Sequence, residues 1–101
     1  MIYEITKFFP REELYGLSSQ MRRAVVSAPS NIAEGAADRS REQFKYFLGI
    51  AIGSLNELNT QLEISFRVGY VDESAYRSSQ NLLDECIAVT YGLKKSLDDR
   101  S

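Results

Sequence analysis

Histidine and tryptophan are absent from the 101 residues, and there are only one cysteine, two prolines and six glycines. Without imidazole the chain has no ordinary general base near neutral pH, no histidine metal ligand and no acid–base partner for a serine or cysteine nucleophile. Most familiar hydrolase chemistries are thereby excluded. Cys86 has no partner for an internal disulfide, and the opening residues lack the basic-then-apolar pattern of a signal peptide, so a cytoplasmic location is expected. No run approaches the roughly 18 apolar residues of a membrane span, so no membrane partner is expected. What is present is 44% apolar residues, six tyrosines, five phenylalanines and a net charge of −2, which argues against disorder. The length suits one domain, residues 1–101.

Breakpoints fall near Pro10, Gly35 to Ser40 and Gly69 to Asp72, and the segments between them have helical period, which predicts an all-α chain. Residues 2–8 read as the last two turns of an amphipathic helix, too short to be stable alone. Pro10 suits a first helical position, and from it the second segment runs with an apolar stripe through Leu14, Leu17, Met21, Ala24, Val25, Ala28 and Ile32. Pro29 lies within that stripe and predicts a kink or an opened turn, while Gly35 is the expected left-handed stop. Asn31 and Glu34 are then placed to pair with backbone groups that Pro29 leaves open, so Pro29, Asn31, Glu34 and Gly35 are expected to form a structural junction.

Ser40 with Gln43 reads as a capping box, and the helix it opens runs to about Gly69, about 28 residues or 42 Å. The fourth segment begins at Asp72, with Val71 and Tyr76 as a hydrophobic staple, and its expected inner seam is Tyr76, Ser79, Leu83, Cys86, Thr90, Leu93 and Leu97. Three long helices and a stub define an antiparallel up-down four-helix bundle with a shortened first helix. Tyr46, Ile50 and Ile52 on the third helix, and Leu82, Val89 and Tyr91 on the fourth, lie off the main stripes. They belong either to a second, intersubunit neighbour or to the edges of one wide stripe. Gly49 and Gly53 each forfeit about 1 kcal/mol of helix propensity relative to alanine, so close helix packing is expected there.

No catalytic constellation emerges. Glu34, Glu57 and Glu63 lack the Glu-x-x-His pairing of bundle metal centres, so neither metal nor cofactor is expected. Charge is uneven: residues 1–50 carry seven basic and six acidic side chains, residues 51–101 five and eight. Arg22, Arg23, Arg39, Arg41 and Lys45 form the candidate nucleic-acid patch, set against interleaved Glu34, Asp38 and Glu42.

Phe9-Pro10, the Glu13 to Leu17 run, Gln20 to Ala24 and Ser30 to Gly35 are followed by Phe47-Leu48, the Ala51 to Leu58 run, Gln61-Leu62 and Gly69-Tyr70. In these runs, which span nearly the whole chain, the sequence resembles the 23S rRNA intervening sequence proteins. The resemblance implies a four-helix bundle without an established molecular role, assembled as a ring-like homopentamer. Members usually carry a longer first helix, so here the start is shortened or that helix is supplied differently. A related retroelement accessory protein is a basic pentameric bundle that binds nucleic acid, whereas this chain is acidic. The expected function is a non-enzymatic, homo-oligomeric interaction module; the alternative is an RNA- or retroelement-associated accessory protein that binds nucleic acid through the basic patch repeated around a ring, with RNA or a nucleic-acid-handling protein as its partner.

Overall fold

A computed structural model describes residues 1–11, 16–37 and 40–98. Four helices follow one another: α1 (Ile2–Thr6), α2 (Leu17–Ala36), α3 (Arg41–Arg67) and α4 (Glu73–Asp98). Their ends are set by local chemistry. Ser40 Oγ accepts the Gln43 N–H at 3.2 Å to open α3, and Asp72 Oδ1 accepts the Ala75 N–H at 2.8 Å to open α4. Between them Gly69 takes a φ of +85°, its N–H reaches the Phe66 carbonyl at 3.1 Å, and the Tyr70 N–H reaches that of Ser65 at 2.8 Å. This double closure ends α3, and the left-handed φ is one that glycine adopts without a Cβ penalty. Val71 is buried, Tyr76 packs on the core, and the Tyr76 ring stacks on Phe66 at 4.4 Å, which fixes the α3–α4 turn.

α3 is central: α2 covers one flank, α4 the other, and α1 packs on α2. Leu48, Ala51, Leu55, Leu58 and Leu62 of α3 and Met21, Ala24 and Ala28 of α2 are buried, and α1 contributes Ile2. Phe9, just beyond α1, is buried with its ring 5.1 Å from that of Tyr70. The Cα envelope measures 47 × 24 × 16 Å, a slab rather than a square bundle, because α1 fills only a fraction of the fourth helix position.

Several expectations are corrected. α2 begins at Leu17 after Gly16, not at Pro10, and Leu14 lies outside the described residues. Pro29 sits inside α2, as its place in the stripe requires, but Gly35 does not end the helix: it is a buried helical residue with an ordinary φ. Gly35 is there for space, since a Cβ would stand 2.7 Å from Phe47 Cβ and 3.1 Å from Phe44 Cδ1. Gly49 and Gly53, expected to pack closely, are open instead. A Cβ at Gly49 would meet only Lys94 Cε, at 3.9 Å, and one at Gly53 would meet nothing within 4 Å.

Ile52 is buried in the subunit and is removed from the candidate interface, because its position on α3 turns toward the core beside Leu55 and Leu48. Cys86 is exposed. α4 carries two apolar stripes, and the expected seam mixed them: Ser79, Leu83 and Thr90 face inward with Ile87, whereas Leu82, Cys86, Val89 and Leu93 form a second, exposed row.

Candidate functional site

The vacant part of the fourth helix position is an apolar groove of about 530 Å³. Val25, Pro29 and Ile32 of α2 form one wall, Leu82, Cys86 and Val89 of α4 the other, and Leu55 and Leu58 of α3 the floor. Met1 closes one end, and Glu85 is the one ionisable carboxylate in the lining. The walls are wet: Leu82 is 50% and Val89 70% exposed. Pro29 suits this wall, since a residue without an N–H can carry its ring into the groove.

A second uncovered surface lies across the slab. Tyr46 and Ile64 stand nine residues before and after Leu55, so at about 100° per residue they point directly away from the groove floor. Both are exposed, Tyr46 at 65%, and the open Gly49 and Gly53 with half-buried Ile50 occupy the same side of α3. Tyr91 is also exposed, on α4 outside the groove.

The junction residues brace α2 on α3. Asn31 Nδ2 donates to the Ser27 carbonyl at 2.9 Å and to Ser27 Oγ at 3.1 Å, and the Ser27 and Ser54 hydroxyls lie 3.0 Å apart across the two helices. The acceptor is the Ser27 carbonyl and not that of Val25, which is the one Pro29 frees. Glu34 is exposed on the same helix.

The five basic residues do not converge. Arg22 is half-buried, its Nε donating to Thr6 Oγ1 at 2.8 Å and its guanidinium lying 5.4 Å from the Tyr3 ring centroid. Arg23 is exposed in a cleft of about 250 Å³ with Gln20, Ser27, Ser54 and Glu57. The Ser27–Ser54 contact sets the antiparallel register, which puts Lys45 roughly 20 Å along the axis from Arg23. Lys45 is neutralised by Asp98 at 2.6 Å, with Glu42 at 3.5 Å. The Asp98 hydrogen bond holds the Lys45 ammonium above lysine's usual range and the Asp98 carboxyl below its own. Arg41 is exposed and engaged in a contact of its own, and Arg39 lies outside the described residues.

An all-α bundle with an open apolar groove where the fourth helix position is only partly filled defines a helical-bundle protein. The chain belongs to the 23S rRNA-intervening sequence protein family, whose profile matches residues 1–92. No curated protein is significantly similar to it. Among the described residues, no helix is long and apolar enough to cross a membrane.

Two residues of the groove wall, Leu82 and Val89, are among those the sequence sets off the main stripe, whereas Cys86 and Leu93, which complete their row at steps of four, three and four, are not separated from the inner seam. A second seam beside the inner one marks a helix with two neighbours.

Proposed function

We propose that the chain is a non-enzymatic, homo-oligomeric interaction module that closes head to tail into a ring, with five subunits as the order the family resemblance suggests. The observation that carries this reading is the uncovered apolar α2/α4 groove, with the exposed Tyr46 and Ile64 on the opposite side of α3 as its counterpart. Two different surfaces at opposite sides make a heterologous contact, which generates a ring or a filament rather than a two-fold dimer. Fully burying a valine or leucine is worth about 1.5–3 kcal/mol, and at Leu82 and Val89 half or more of the side chain is still in water. Light scattering coupled to size exclusion at micromolar concentration tests it. A mass near one chain, 11.4 kDa, refutes the assembly, a mass of two chains refutes the ring, and a mass of about five supports both.

A further inference from the structure

On the outer side of α1 and the first half of α2, aromatic rings and guanidinium groups share one surface. A trough of about 490 Å³ is lined by Tyr3, Ser19, Arg22, Arg23, Val26 and Ser27, and Arg23 and Ser27 also line the smaller cleft toward α3. The volume is within the usual range for a small-ligand site, about 300–1,000 Å³. Tyr3 is 52% exposed. Arg22 covers one part of its ring at 5.4 Å and is held there by the hydrogen bond to Thr6 Oγ1, so ring and cation form a fixed platform.

Lys45, Arg67 and Arg77 each lie within 4 Å of a carboxylate, whereas Arg23, like Lys94 and Lys95 at the far end of α4, has no ion pair among the described residues. Glu57 lines the cleft opposite Arg23 but accepts instead from Gln61 Nε2 at 3.3 Å. Glu4, on the same short helix as Tyr3, is taken up by the N-terminal ammonium. Beyond α1 a second cation–ring pair recurs, Lys7 Nζ lying 5.3 Å from the centroid of Phe8, which is 78% exposed. An exposed ring, a planar fork of donors with no ion pair among the described residues and the Ser19 hydroxyl are parts that bind a stacked base and its adjoining phosphate.

We propose that the Tyr3–Arg22–Arg23 trough binds single-stranded nucleic acid, one base resting on Tyr3 and its phosphate on Arg23, with Ser19 and Ser27 beside it. Nothing in this depends on how the subunits assemble. Sequence specificity is not expected, because stacking and phosphate contacts accept any base.

The test is fluorescence anisotropy of a labelled twelve-residue oligouridylate titrated with the full chain, with a duplex of equal length in parallel. Wild type is expected to bind the single strand better than the duplex. One phosphate contact on a single strand should weaken binding about 2.5-fold between 50 and 200 mM salt. Arg23→Glu should weaken binding at least tenfold, while Arg77→Glu, an identical change in net charge on α4, the flank of α3 opposite α2, should leave it within twofold. Tyr3→Ala should weaken it about tenfold, Tyr3→Phe should restore it and Tyr3→Leu, which keeps apolar bulk on α1 without the ring, should not. No binding by wild type at 50 mM salt, equal losses for Arg23→Glu and Arg77→Glu, or a Tyr3→Phe variant as weak as Tyr3→Ala would each overturn the proposal. Displacement by uridine monophosphate at concentrations equal to the oligonucleotide would overturn the strand and assign a free nucleotide.

Discussion

The same substitution, glycine to alanine, should change stability in opposite directions at two helical positions. At Gly35 an added methyl would stand 2.7 Å from Phe47 Cβ. That atom is fixed to the α3 backbone and cannot rotate away, so α2 and α3 must separate locally. Overpacking of this kind costs about 1–3 kcal/mol, against a gain of about 1 kcal/mol in helix propensity. At Gly92 nothing lies within 4 Å, and only the propensity gain remains. With about 4–8 °C of Tm per kcal/mol in a domain of this size, Gly35→Ala should lower Tm by up to about 16 °C while Gly92→Ala raises it by about 4–8 °C. Thermal unfolding followed by circular dichroism, with all three proteins at one concentration because assembly shifts Tm, provides the comparison. A Gly35→Ala protein as stable as Gly92→Ala would refute the close approach of α2 and α3 at this point.

Asn31→Ala removes two part-buried hydrogen bonds to Ser27 and should cost about 1 kcal/mol, or roughly 4–8 °C of Tm. Asp98→Asn should lower Tm slightly at neutral pH. Because the Asp98 carboxyl is held below its usual range when folded, this contribution exists above the unfolded value and disappears as the pH falls through the folded one, where the two melting curves should merge. Cys86 lies in the groove wall, so a thiol reagent should modify it freely in dilute protein and slowly at concentrations where the groove is covered; equal rates would place the contact elsewhere.

The helices were legible in the sequence where a backbone-satisfying residue stood at an end: Ser40 and Asp72 cap α3 and α4 as read, and Gly69 supplies the one left-handed glycine. Gly35 was not legible, because a glycine that makes room and a glycine that ends a helix look alike in one dimension. Ile52 and Cys86 were misplaced for a common reason. Each lies within one residue of a correct inner position, and a seam read at alternating steps of three and four cannot tell the two rows of a two-sided helix apart. The basic cluster was read from sequence proximity across a turn, but two antiparallel helices carry Arg22 and Lys45 toward opposite ends. The Tyr3–Arg22 platform joins residues sixteen or more apart and has no local pattern to betray it.

The inner face of α4 has a consequence for breathing of the fold. Its buried residues are Ser79, Leu83 and Thr90, whereas α3 buries eight, among them Leu48, Leu55, Leu58 and Leu62. The α3–α4 seam therefore holds little apolar surface per turn, and the α2–α3 hairpin is the tighter half. Amide protons of α4 should exchange with solvent through a sub-global opening in which the last helix lifts as a unit while the α2–α3 hairpin stays closed. A helix that detaches in this way from its own subunit is also one that can be traded with the next.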